Sequence, residues 1–287
     1  MKISGWHKAK GDDVSWWAAD SQYDRVYMGR VFGDEYTRDL PSPENASEVI
    51  RGGSGYAISV KDGHEVYCKE NDPDLPYEID HFMPDYSLYG IEDTAYGFLT
   101  KGCPRGCSFC HTKAMQGGAV YTFASLDEFW NGQKNIRLLD PNITASKDWG
   151  FHFESLARSR AYVDFTQGLD IRLMTREKCE GLNDIRWKMI HFAWDNPNDD
   201  LRSKLEFCQK HMKRWRRQII SCYVLTNYNS THEQDLYRIN TLREFHVQPY
   251  VMIYRKHTAP PETRKLQRWC NPFIFWKVSS FDEYRVM

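Results

Sequence analysis

From about residue 94 the chain settles into a regular alternation. Six short runs rich in β-branched and aromatic residues, at 95–100, 136–140, 162–166, 190–195, 218–226 and 250–255, are separated by polar-faced segments of helix length. In one of these, 199–215, Leu201, Leu205, Cys208 and Met212 fall on a single helical face. Strands alternating with helices predict a parallel sheet joined by right-handed crossovers. Six repeats are too few to close the standard eightfold barrel. The expected fold class is therefore α/β, with a partial, open (β/α)6 barrel at its centre. The chain has 41% hydrophobic and 27% charged residues, a soluble globular balance, and its 15% aromatics can fill a large core or line a cleft.

The preceding residues have a different texture. A strand is expected at 24–32, a short helix from Ser47, a second strand at 56–60, and a wrapping linker over 71–90. The expected division is a small α/β region at 1–90 and a core at 91–287 that ends in a helical extension near 264–271. The first residues carry no long apolar run, and no 18-residue apolar stretch occurs anywhere. Neither a signal peptide nor a membrane helix is expected, and a cytoplasmic location follows. A formal net charge of −1 gives no global pull toward nucleic acid or membrane.

Eight cysteines occur, and five of them (68, 179, 208, 222 and 270) are scattered in the manner of small core residues. The other three, Cys103, Cys107 and Cys110, make a tight C-x3-C-x2-C directly after the first strand of the series. Gly102 and Gly106 let that loop bend around a bulky group. Phe109 can shield it from water, and Lys101 and Arg105 put positive charge beside the sulfurs. Three thiolates leave a metal centre one ligand short, and an open position is where chemistry occurs. Zinc is the competing reading, but it normally takes four ligands, and His111 adjoins Cys110 too closely for the usual spacing.

This cysteine spacing, the aromatic before the last cysteine and the six β/α units resemble the radical S-adenosylmethionine superfamily over roughly 94–256. The resemblance implies a [4Fe-4S] cluster on Cys103, Cys107 and Cys110, with S-adenosylmethionine on the fourth iron. It implies reductive cleavage to a 5′-deoxyadenosyl radical that takes hydrogen from a substrate, fed by a flavodoxin- or ferredoxin-like one-electron donor. The substrate is unknown. By strand position, it implies further cofactor contacts. The glycine-rich element usual after the second strand is absent, and Asp140 and Asn142 stand there to meet the methionyl ammonium. After the third strand come Gln167, Asp170 and Arg172, the last suited to the methionyl carboxylate. Asp195 after the fourth strand is the ribose candidate, and Tyr254 with Met252 on the sixth strand is placed against adenine.

A small α/β region ahead of the cysteine motif also resembles the arrangement of relatives with a cobalamin-binding domain. Asp62 and His64 match the start of that domain's Asp-x-His-x-x-Gly pattern, but Tyr67 replaces its glycine. They read as a turn in a degenerate cobalamin-binding-like region. The basic run at 210–217, with Arg214, Arg216 and Arg217, fits either a solvated helix end or a nucleic-acid contact. Two alternatives therefore stand beside the radical enzyme: a non-catalytic metal- or cluster-binding protein, and a nucleic-acid-modifying member of the same superfamily.

Overall fold

The computed structural model describes residues 1–285, which divide into two units. One comprises Met1–Glu92, Gly102–Ala119 and Asp127–Phe129; the other comprises Asp93–Lys101, Val120–Leu126 and the chain from Trp130 onward. The cysteine loop thus groups with the N-terminal residues, although the strand that leads into it belongs to the second unit.

The first unit contains helices α1 (Lys2–Ala9), α2 (Tyr77–Asp80) and α3 (Thr112–Gln116) and strands β1 (Tyr23–Gly29), β2 (Ala46–Gly52), β3 (Ile58–Lys61) and β4 (His64–Tyr67). β1 and β2 pair in parallel, with Val26 opposite Val49 and Tyr27 opposite Ile50. The helix expected from Ser47 is therefore a strand. Ser47 and Glu48 supply helix-start chemistry, but the β-branched pair Val49 and Ile50 that follows fits a ladder better than a helix. β3 and β4 form a hairpin whose turn residues Asp62 and Gly63 both have positive φ, 49° and 78°. That geometry matches a two-residue primed turn, and Asp62 lies in the turn as the sequence indicated, whereas His64, expected with it, is the first residue of β4, paired with Lys61. The stretch expected as a linker holds α2 and a 3-10 turn at Ser87–Tyr89. Asp85 fixes that turn by accepting from Ser87 N at 3.2 Å, Ser87 Oγ at 2.6 Å and Leu88 N at 3.3 Å.

In the second unit the six expected runs are all strands: β5 (Thr94–Gly97), then, after a short antiparallel pair β6 (Thr100–Lys101) and β7 (Tyr121–Thr122), β8 (Asn135–Leu138), β9 (Tyr162–Phe165), β10 (Ile190–Ala193), β11 (Ile220–Thr226) and β12 (Gln248–Ile253). They assemble in chain order as two parallel three-stranded sheets, β5-β8-β9 and β10-β11-β12. Isolated parallel bridges Val163–Trp187 and Leu169–Phe192 link the region of β9 to that of β10. The result is a mixed α/β arrangement of small sheets, and among the described residues they do not close a barrel. The run expected at 95–100 is broken because the chain bends after Gly97 and Thr100 turns to pair with Thr122.

Helices α4 (Trp149–Ser159), α5 (Arg176–Asp184), α6 (Arg202–His211), α7 (His232–Glu244) and α8 (Pro261–Cys270) follow β8, β9, β10, β11 and β12 in turn. The covered face of the strands carries Ile136, Leu138, Val163, Phe165, Ile190, Phe192, Val224 and Val251, all buried. Each such side chain contributes about 1.5–3 kcal/mol by leaving water. Leu201, Leu205, Cys208 and Met212 share the buried side of the α6 segment, as their spacing indicated. α7 opens with a capping box in which Thr231 and Gln234 satisfy each other's backbone amides. α8 begins with proline and buries Thr263, Leu266, Trp269 and Cys270, forming with Ile239, Val251 and Phe275 the core of the C-terminal extension.

Candidate functional site

The cysteine loop leaves β6 at Gly102, whose φ of +90° is a backbone state that glycine adopts at little cost. Both ends of the loop are closed by hydrogen bonds. Gly102 N donates to Gln116 Oε1 at 3.1 Å and Cys103 N to Gly117 O at 3.1 Å. Inside it, Cys110 N donates to Cys107 O at 3.0 Å, and the Cys110 thiol to Thr112 Oγ1 at 3.2 Å. Cys103 and Cys107 are half-buried and Cys110 is exposed. Among the described residues no three His, Cys, Asp or Glu side chains come together as a metal-holding group, the trio included.

Neighbouring groups explain why the loop belongs to the first unit. His111 Nε2 lies 3.4 Å from Glu65 Oε2, and its ring stacks on Tyr67 at 6.1 Å, so the residue after Cys110 is held against β4. Lys101, expected beside the sulfurs, has its ammonium 3.5 Å from the centroid of the Phe123 ring in the second unit. Cation–π attraction to an aromatic neighbour offsets the loss of hydration there.

The remaining candidates lie in the second unit at strand ends. Asp140, just past β8, is buried and accepts from Leu99 N at 3.1 Å, Thr100 N at 2.5 Å and Thr100 Oγ1 at 2.7 Å. Burial outweighs these donors and raises its pKa to about 6. In this arrangement the carboxyl anchors the backbone that leads to Cys103. Asn142 is also buried, and its Oδ1 accepts from Thr144 Oγ1 at 2.9 Å. Thr144 Oγ1 in turn accepts from Asp170 N at 3.3 Å.

Asp170 caps the 3-10 turn at Ile171–Leu173 and accepts from Arg172 N at 3.1 Å and Arg172 Nε at 2.7 Å. The other arm of the guanidinium donates to Asp199 Oδ2 at 2.6 Å. The structure therefore joins Asn142, Asp170 and Arg172 in one network, with the fork of Arg172 spanning two carboxylates. That trio of charges leaves one net negative charge at the strand ends, an environment that favours a cationic group. Gln167 is exposed. Asp195 is half-buried, and burial raises its pKa to about 6 against the opposing charges of Arg238 and Arg172. Tyr254, beyond β12, packs edge-on against Tyr228 at 4.9 Å, and its carbonyl accepts from Asn227 Nδ2 at 2.7 Å.

Sequence reasoning missed Arg238. Its side chain is 0% exposed and donates to Trp194 O at 2.6 Å, Leu225 O at 2.8 Å and Asp235 Oδ1 at 2.5 Å. It thereby clamps the carboxyl ends of β10 and β11. The signal was present: Asp235 and Arg238 fall at helical spacing on the same face as Ile239 and Leu242, where a charged pair is out of place unless satisfied. Asp199 was missed too, because it is remote in sequence from Arg172. The basic run is partly absorbed by packing, with Arg214 over the Trp187 ring at 4.2 Å and Arg217 over Trp276 at 5.0 Å.

No protein-family model matches the chain, and no curated protein matches it as a relative.

Proposed function

We propose that this chain is a radical S-adenosylmethionine enzyme. The observation that carries the reading is a single loop with three cysteines in C-x3-C-x2-C spacing, reached from the first of six β/α strands by way of the short β6, while those six strands pair in parallel and in chain order within two three-stranded sheets. Such an order is what a partial (β/α)6 barrel requires.

The donor set suits a [4Fe-4S] cluster in number and chemistry, since thiolates are its usual ligands. Cys103, Cys107 and Cys110 would hold it, and their exposure ranges from half-buried to open, so reagents reach them. Binding requires the three thiols to be drawn together, which this structure does not show. His111 is engaged with Glu65 and supplies no fourth ligand, which disfavours a closed zinc site. When bound, such a cluster supplies one electron to S-adenosylmethionine, whose cleavage yields the 5′-deoxyadenosyl radical.

The chain's own residues do the holding. Gln116 and Gly117 fix the loop's entry by accepting from Gly102 and Cys103. Asp140 fixes the two residues before Lys101. The carboxylates of Asp170 and Asp199, bridged by Arg172, suit the cationic end of the cofactor, and Asp195 remains the candidate for its ribose.

The test is anaerobic reconstitution with iron and sulfide. About four irons per chain are expected, with loss of nearly all of them in a Cys103→Ala, Cys107→Ala, Cys110→Ala triple variant. Full iron in the triple variant, or one tightly held zinc in the wild-type protein, would overturn the reading.

A further inference from the structure

One face of the strands in the second unit is apolar and covered. The opposite face carries a continuous row of polar and aromatic side chains, with a residue from each of six strands: Tyr96 of β5, Arg137 of β8, Asp164 of β9, His191 of β10, Tyr223 of β11 and Tyr250 of β12. Register places Tyr96, Arg137 and Asp164 side by side, and Tyr223 beside Tyr250. Contacts join the row. Arg137 lies over the Tyr96 ring at 5.7 Å and its Nε is 3.8 Å from Asp164 Oδ2. Asp164 Oδ1 is 3.8 Å from His191 Nε2. The His191 ring stacks on Tyr223 at 5.1 Å with only 5° between planes, and Tyr223 meets Tyr250 edge-on at 5.8 Å.

The centre of the row is unfinished. Asp164 Oδ1 is a buried oxygen with no hydrogen-bond partner, and leaving such an acceptor unsatisfied is costly. On the far side of the imidazole, His191 Nδ1 lies 2.8 Å from Ser221 Oγ. If Ser221 donates to Nδ1, the proton sits on Nε2, the tautomer favoured by the carboxylate opposite. Burial lowers the pKa of His191 and so disfavours the charged ring, against the pull of Asp164. The gap between Nε2 and Oδ1 is too long for a direct hydrogen bond. It is well sized for one hydroxyl oxygen set to the side, which accepts from Nε2–H and donates to Oδ1 at ordinary distances. The second carboxylate oxygen can take a neighbouring hydroxyl, since an ionised carboxylate accepts at both oxygens. Arg137 sets its guanidinium beside that carboxylate. Tyr250, 46% exposed, extends the row beyond Tyr223 with a flat ring.

We infer that this face binds a ligand that carries a hydroxylated ring, with two adjacent hydroxyls held by Asp164 and His191 and the body of the ligand lying toward Tyr250. The ring is either the ribose of a nucleoside or a free saccharide. The inference rests on the strands alone and stands whether or not the cysteine loop carries a cluster.

The test is equilibrium dialysis of the full-length chain against two panels: the four ribonucleosides with their 2′-deoxy forms, and free pentoses and hexoses. It is run in parallel on the triple cysteine variant, so that loss of the cluster reading leaves this result intact. Binding is expected in one panel and identifies the source. Asp164→Asn, which keeps the shape, should weaken it at least tenfold, and Arg176→Ala on the exposed side of α5 should leave it unchanged. In the unsubstituted protein the His191 ring proton resonance, assigned with His191→Gln, should shift on saturation, a readout independent of whether the Asp164 variant folds. No binding in either panel, unchanged affinity in Asp164→Asn, an unmoved His191 signal, or displacement of the ligand by S-adenosylmethionine would each overturn the inference.

Discussion

Replacing Asp140 separates a structural anchor from a cofactor contact. Its carboxyl accepts from two backbone amides and a hydroxyl of Leu99 and Thr100, residues that are 1% and 0% exposed. Asp140→Ala removes all three acceptor contacts where water cannot replace them. The hydroxyl can rotate away, but the two amides cannot, and each orphaned donor costs about 1–3 kcal/mol. A loss of about 4 kcal/mol in urea unfolding at pH 7 is expected. Asp140→Asn keeps one oxygen for Thr100 but turns an amide group toward the Leu99 N–H, so a loss of about 2 kcal/mol is expected. The wild-type protein should also carry a pH signature. Burial raises the Asp140 pKa to about 6, above the ordinary value of about 4. The folded state therefore holds the proton more tightly than the unfolded state. Its contribution is complete below pH 4 and is lost as pH rises through 6, a fall of about 3 kcal/mol that Asp140→Asn should abolish. If Asp140→Ala loses less than about 1 kcal/mol yet no longer binds S-adenosylmethionine, the anchoring role is refuted and the carboxylate serves the cofactor.

Arg238→Met should destabilise the chain by about 3 kcal/mol or more, because it strips Asp235 of its buried partner and frees two strand ends; the Asp235→Leu, Arg238→Met double variant should recover part of that loss in the same unfolding assay. Thr231→Ala breaks the capping box of α7 and should cost about 1 kcal/mol, read from the urea midpoint. Arg172→Gln withdraws one of the positive charges that oppose the upward shift of Asp195, so the Asp195 carboxyl, followed by carbon NMR, should titrate still higher than about 6; an unchanged titration would place Arg172 too far away to matter.

The periodicity of the sequence made the second unit legible: six apolar runs became six strands, and the Leu201, Leu205, Cys208 and Met212 stripe became a buried helix face. Where local and long-range preferences disagreed, the local reading failed. Ser47 and Glu48 look like a helix start, yet the parallel ladder with β1 takes them into a strand. Asp170 and Arg172 were visible in a dense polar segment after the third strand and Asn142 separately after the second, but their common network depends on Thr144 and Asp199, which no short-range pattern ties to them. Asp140 stood out as a carboxylate after a strand. That it faces Leu99 and Thr100 depends on the parallel pairing of β5 with β8. The row from Tyr96 to Tyr250 was invisible for the same reason, since each strand contributes one residue and only the register assembles them.

The most direct measurement is the release of 5′-deoxyadenosine from S-adenosylmethionine by the reconstituted, dithionite-reduced chain, followed by mass spectrometry. Release is expected from the wild-type protein and none from the variant lacking Cys103, Cys107 and Cys110. Equal release from both, or no release from wild-type protein that holds its full iron, would contradict the assignment of the cysteine loop to radical chemistry.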